Sequence, residues 1–511
     1  MTNPTAAMRM LITYAVCIPV ALVVGYLLTN PLDYGMLGFL GLLIAVLVSP
    51  IFIRWYYPLL VFALNAPIIC FFLPGKPTFT QVVIIITLVI IVTERILSGE
   101  KRSVSVPVMT WPLMFIMAVT YMTAELNGGI SLHALSGDTG GGRKYIDIFI
   151  GCGVFFALSS QTIPRNKRTL YLILYMLPGL LGMIGNLFPF LPSPLNKINL
   201  LIPPTSLYED GISIGTTRLT EFSFAIGTVM YYMLARYGLG GILSGRHPFR
   251  GLIFGSAFFM SMLGGFRSSL GGMAMLLVLM FFFEGLHRTR LLPAILLCGV
   301  LAVTVLATCS DKLPYTFQRS MSFLPLKWDS EVLVDANGTA EWRFAMWRVL
   351  WPQVPNYLLL GKGYTITKED YEMMGQGQFA NLGGANIDPS QQGLALSGDY
   401  HSGPLSALLT FGLWGGIAIL WLMGATFYVL YCNYKYGDPE LRILNIYLFA
   451  SCIGSIIGYM FIFGSYKDSM AGYGGMAAFS LAMNGGLGKR PARAASNPRI
   501  KPLPQRVPQP A

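Results

Sequence analysis

Gly398-Asp399-Tyr400-His401-Ser402-Gly403-Pro404 closes a polar insertion that opens near Ser310, and an almost uninterrupted apolar run, 404–432, follows it at once. A second apolar run, 291–309, ends where the insertion begins. Each is long enough to cross a bilayer core of ~30 Å as a helix. The insertion therefore reads as one large water-side loop held between two membrane helices. A titratable residue, His401, sits at its seam.

Outward from this loop, long apolar runs recur along the whole chain of 511 residues, which is 54% hydrophobic and only 11% charged. Soluble domains carry about 25% charged residues. Barrel strands would alternate in segments of ~10 residues, and these runs are continuously apolar. The fold class expected is an all-α polytopic membrane protein. Spans bounded by Pro, Gly and charge fall at 9–28, 35–53, 57–73, 79–97, 107–124, 145–160, 169–190, 221–238, 251–265, 269–285, 291–309, 404–432, 443–464 and 468–485. That gives about 12–14 transmembrane helices. The first run lacks a small-residue cleavage site and is expected to be a retained helix.

The formal charge of +12 follows from where Lys and Arg stand. With a cytoplasmic N-terminus, alternate turns place Arg95, Arg165, Lys167, Arg168, Arg236, Arg288, Lys435 and Arg442 inside, while Lys76, Arg143, Lys144 and Lys467 fall outside. Cytoplasmic loops hold the basic excess, so N-in and C-in is expected. Basic residues interleaved with aromatics on a soluble surface are absent, so no nucleic acid is expected. The seven cysteines stand singly, without a CxxC pair, and read as small buried hydrophobes rather than zinc ligands or a disulfide framework. The organisation expected is 1–210 as N-terminal membrane helices, 211–432 as the functional region with its loop at 310–403, 433–488 as C-terminal membrane helices, and 489–511 as a disordered basic cytoplasmic tail.

Three residues fall at outer helix ends in this topology: Arg218, Arg267 and His401. Arg is always charged, and its planar fork suits phosphate oxygens, so two at one seam could hold a pyrophosphate. The plainer reading is a local pair, since Glu221 stands three residues after Arg218. Gly264-Gly265 before Arg267 suits either a backbone that approaches a ligand or close helix packing. His401 has Asp399 two residues before it and is the natural proton acceptor for a hydroxyl. A histidine at a membrane interface is nevertheless often only structural. The segment from Glu341 to Trp351 has the period of an amphipathic helix, with Trp342, Phe344, Trp347 and Trp351 available to lie on the membrane or cap a cavity. No HExxH or Walker loop occurs, so neither cofactor nor metal is expected.

Taken together, Thr217-Arg218-Leu219-Thr220, Gly265-Phe266-Arg267-Ser268-Ser269, the Trp342-Arg343 to Trp347-Arg348 helix leading into Leu360-Gly361-Lys362-Gly363, and His401-Ser402 through Phe411-Gly412-Leu413-Trp414-Gly415 resemble, in order, the motifs of the bacterial O-antigen ligase and polymerase superfamily. Thr220-Glu221 departs from the family's usual Gly and Asn-Pro, and Ser402 stands where Asn is usual. The resemblance implies a GT-C-like membrane fold and an inverting, metal-independent glycosyltransferase in the bacterial inner membrane. Its donor would be a glycan on undecaprenyl pyrophosphate, and its acceptor another glycan or a lipid-A core. By the same resemblance Arg218 and Arg267 would bind the pyrophosphate, Arg343 and Arg348 would contact the donor, His401 would act as base and Asp399 would orient it. The rivals are a transporter or flippase of an anionic lipid-linked substrate, which would need charges at mid-helix depth, and a scaffold that binds partners through its loop.

Overall fold

A computed structural model describes residues 53–73, 75–98, 106–127, 141–187, 198–203, 219–364 and 400–490, with isolated positions at 14, 15, 17–19, 21, 22, 25, 50, 192 and 398. The chain divides after Leu59 into two units. The second unit begins at Leu60, and its described residues are helical, without a β-strand. Besides a short helix at Met183–Leu187, its described α-helices in chain order are α1 (Phe79–Ser98), α2 (Pro107–Leu126), α3 (Gly141–Leu158), α4 (Arg168–Met176), α5 (Thr220–Ile242), α6 (Pro248–Ser261), α7 (Arg267–Phe283), α8 (Leu291–Cys309), α9 (Tyr315–Met321), α10 (Ser330–Leu350), α11 (Val354–Tyr357), α12 (Gly403–Tyr436), α13 (Arg442–Phe461) and α14 (Tyr466–Asn484).

Six helical stretches among the described residues are long and apolar enough to cross a membrane: Phe79–Leu97, Pro107–Leu126, Arg165–Leu187, Leu291–Lys312, Gly403–Tyr436 and Pro439–Phe461. The apolar stretch of α8 has no buried residue at all, and Leu296, Leu297, Val300, Leu301 and Val303 are all exposed. A helix apolar on every face and left almost wholly unpacked is stable only in hydrocarbon. The chain is an all-α polytopic membrane protein.

Two expected spans differ. The span at 57–73 ends as a helix at Ala63, because Pro67 biases the residue before it away from helix and the chain turns back in an antiparallel bridge between Ile69 and Thr78. The span at 169–190 is interrupted after Met176 by a 3-10 turn, Leu177–Gly182. Pro178 removes a helical donor there.

Charged and polar contacts gather at the two ends of α12. At its C-terminal end Arg165 and Arg168 pair with Asp438, Arg168 also with Glu440, and Glu284 accepts from the N–H groups of Leu239 and Gly240. Asn445 and Asn484 exchange amide hydrogen bonds at 3.0 and 2.9 Å, while Asn433 bonds Ser480 at 2.9 Å. At the N-terminal end, Gly464 packs against Gly403 and Lys467 pairs with Asp147 at 3.7 Å.

Candidate functional site

The turn before α7 sets the site. Gly264 lies where a Cβ would meet the Ser223 hydroxyl of α5 at 2.7 Å, so this glycine serves helix packing. Gly265 adopts φ +68°, a left-handed backbone that costs other residues more. Its carbonyl accepts from Arg319 Nη1 at 2.6 Å. Leu219 donates its N–H to Leu263 at 3.4 Å, which brings the start of α5 beside this turn.

Around the turn gathers a cluster of guanidinium groups. Arg267, the first residue of α7, donates to the carbonyl of Ala336 in α10. Arg319 of α9 is buried, with Nε on Asp335 at 2.5 Å, and the Tyr315 hydroxyl donates to the same carboxylate oxygen at 2.7 Å. Arg343 of α10 lies close enough to both arginines to be repelled by them. Burial, then the charges of Arg267 and Arg319, hold its pKa below the ordinary arginine value. An arginine stays protonated in a protein. The Nε of Arg343 is buried without a hydrogen-bond partner among the described residues. Three cations thus stand close together, with Asp335 beside Arg319 and Arg267 and with hydrogen-bonding capacity left unspent on Arg343.

Helix α10 joins this cluster to the seam. It starts at Asp329, whose side chain caps the N–H of Glu331 at 3.2 Å, and one face buries Ala345, Met346 and Leu350 against Tyr400, Leu405 and Leu409. Trp347 stands one turn after Arg343, ~6 Å further along the axis, and donates its indole N–H to the carbonyl of Tyr400 at 2.8 Å. The residue after Tyr400 is His401. Its φ of +51° is uncommon away from glycine, and such residues concentrate at functional sites. The His401 ring meets Phe463 edge-on, centroids 4.9 Å apart. Phe344 and Trp351 are exposed, as expected of side chains lying on a membrane.

Below His401, α12 is broken at Gly412, φ +66°. The turn after α11 fills the break: Lys362 and Gly363 donate their N–H groups to the carbonyls of Leu409 and Thr410, both at 2.8 Å, and Leu413 donates to Leu358 at 2.6 Å. A Cβ on Gly412 would meet the Leu358 carbonyl at 2.6 Å. The two glycine-bearing motifs read from the sequence are the two halves of one interlocked joint.

Of the residues singled out in the sequence, Arg267 and Arg343 come together and His401 is tied to them through α10. Arg348, five positions beyond Arg343, turns ~140° away around the helix and is exposed, outside the cluster. Arg218 and Asp399 lie outside the described residues. Sequence reasoning missed Arg319 and Asp335. The i, i+4 spacing of Tyr315 and Arg319 was the available signal, since both reach the same carboxylate.

No curated protein and no solved structure matches the chain. Residues 252–420, from α6 into α12, match the family model described as O-Antigen ligase (Wzy_C), so this stretch of the chain is similar to that family, and the match supports a role as a polysaccharide ligase or polymerase.

Proposed function

We propose that the chain is an inverting, metal-independent glycosyltransferase with a GT-C-like frame. It polymerises or ligates a surface polysaccharide from an undecaprenyl-pyrophosphate-linked donor at the periplasmic face of the bacterial inner membrane. The observation that carries this is the guanidinium cluster of Arg267, Arg319 and Arg343, coupled through α10 to His401. Buried like charges are costly unless compensated, and the fork of an arginine matches phosphate oxygens. A pyrophosphate supplies the missing negative charge, and Arg218, adjacent in sequence to Leu219, would add to its binding.

In the reaction the acceptor hydroxyl attacks the anomeric carbon from the face opposite the phosphate. A new C–O bond forms while the bond from that carbon to the phosphate oxygen breaks, and the electron pair departs on the pyrophosphate. The hydroxyl proton passes to the His401 imidazole, with Asp399 as its orienting carboxylate. Fixed cations aimed at charge that develops in the transition state are worth about 10²–10³ in rate for each donor removed. The basic residues at the C-terminal end of α12 favour a cytoplasmic position for that end, and this supports a periplasmic His401.

The test is reconstitution of the purified full-length chain in lipid nanodiscs with undecaprenyl-pyrophosphate-linked glycan and an acceptor, in the presence of EDTA. A new glycosidic bond of inverted anomeric configuration is expected. Movement of the donor across vesicle membranes without any new bond would instead make the chain a transporter.

A further inference from the structure

Beyond the stretch that matches the ligase family, α13 and α14 border an open cavity of about 310 Å³ at the His401 end of the bundle. This is the lower end of the range for small-molecule sites, ~300–1,000 Å³. Phe463, whose ring meets His401, is part of its wall.

Its construction is not that of a packing defect. Glycines on membrane helices ordinarily let backbones approach, as Gly151 does where a Cβ would meet Met470 at 3.0 Å. Gly458 and Gly472, on the two helices that wall the cavity, have nothing within 4 Å of where a Cβ would stand. Gly472 is exposed, so at these two positions the cavity is open rather than filled by side chains. The Tyr459 side chain on the same wall is 4% exposed, and its hydroxyl lacks a hydrogen-bond partner among the described residues. A buried hydroxyl left unpaired is unfavourable, so it is suited to a ligand's polar group.

The lining also fixes the ligand class. Among the described residues it combines the aromatic rings of Tyr459, Phe463 and Tyr473 with the hydroxyls of Ser455 and Ser469 and one carboxylate, Asp468, which pairs with neighbouring Lys467 at 3.8 Å, and no basic side chain is part of the lining itself. Such a wall offers a phosphate no cation of its own and suits a neutral polyol. His401 stands between two unlike surroundings. Through Trp347 it is tied to the cationic cluster, and through Phe463 to this hydroxyl-rich cavity without a cation.

We propose that the cavity between α13 and α14 seats the terminal sugar of the acceptor glycan and delivers its hydroxyl to His401. This rests on the transferase reading of the site. The donor's pyrophosphate and the acceptor's sugar then approach the imidazole from different sides, each held by chemistry that rejects the other.

The test uses the full-length chain in nanodiscs with undecaprenyl-pyrophosphate-linked glycan. Short lipid-free oligosaccharides, made by partial hydrolysis of the encoding cell's surface polysaccharide, serve as the acceptor probe. Tyr459→Phe removes one hydroxyl and Gly472→Leu places a side chain in the open space, where its Cβ would meet nothing within 4 Å; Gly458→Ala repeats the plug from the opposite helix. Acceptor KM should rise about tenfold for Tyr459→Phe, the loss of one buried hydrogen bond, and further for Gly472→Leu, with donor KM and thermal midpoint unchanged. An unchanged acceptor KM in all three overturns the acceptor site and leaves the transferase reading standing. Should the unaltered chain form no glycosidic bond, the transferase reading falls. Calorimetric titration of the same oligosaccharides then decides the cavity separately: binding lost in Gly472→Leu supports a sugar site, and equal binding removes it.

Discussion

The indole of Trp347 holds the carbonyl of Tyr400 at 2.8 Å, and this bond, with the packing of Met346 and Leu350 around Tyr400, lets a helix that carries Arg343 fix the residue next to His401. Trp347→Phe keeps an aromatic ring in the core and deletes the bond. Stability should fall by about 1 kcal/mol, and transfer rate by about tenfold because the base loses its fixed position. His401→Ala should abolish transfer in a protein that still inserts and melts normally. Retained transfer in that variant ends the assignment of His401 as base.

Arg267→Lys and Arg343→Lys each preserve charge and lose the planar fork. Donor kcat/KM should drop by about 10²-fold, with acceptor KM unaffected. A uniform rise in both substrates' KM values would instead mark a change of fold, which far-ultraviolet circular dichroism would detect.

Asp335→Asn leaves Arg319 buried without its carboxylate, and such a loss costs about 3–5 kcal/mol. The double replacement Arg319→Met with Asp335→Leu should recover part of that stability. It should not recover activity, because one cation of the cluster is gone. Denaturation midpoints in detergent and donor turnover read the two effects apart.

Gly412→Ala forces a Cβ into the Leu358 carbonyl, 2.6 Å away, at φ +66°. With ψ at −161° this backbone lies in a region open essentially to glycine, where another residue costs about 1–3 kcal/mol, and displacing the turn adds the loss of its hydrogen bonds. Gly424→Ala, on the same helix where a Cβ meets nothing within 4 Å, is the control and should melt like the parent.

Asp438 sets a dependence on pH. Burial alone would raise its pKa, yet the Glu440 N–H and the Arg168 guanidinium outweigh it and hold the carboxyl below its ordinary value. A depressed carboxylate contributes stability that is fully present above the unfolded value, ~3.9, and is lost as pH falls through the lower folded value. Thermal midpoints should therefore decline on acidification below about pH 4. Asp438→Asn should lower the midpoint at neutral pH and flatten that decline.

The membrane helices were legible in the sequence because lipid demands long apolar segments whose backbones satisfy themselves. α1, α2, α8 and α12 begin within a residue or two of where hydropathy puts them. The early end at Ala63 was missed because a stretch such as Pro67 to Leu73 is apolar enough for a helix, and its turn depends on prolines and a bridge to Thr78. Arg267 and His401 stood out as polar residues at apolar seams. Arg319 and Asp335 did not, because Arg319 acquires its meaning from Gly265, 54 positions away, and sequence patterning carries no signal across that distance. Gly361 and Gly412 were visible as glycines in separate motifs; that they belong to one joint required the fold.

The joint at Gly412 constrains the order of assembly. An interrupted membrane helix exposes carbonyls that hydrocarbon cannot satisfy, and here the chain segment that satisfies them is made earlier and lies outside the helix. During synthesis the segment from Leu358 to Gly363 must be waiting at the surface when α12 enters the bilayer, and insertion and docking become a single event. Detaching the loop later would leave the Leu409 and Thr410 carbonyls stranded, so protease nicking within it should unseat the helix below rather than merely trim an appendage.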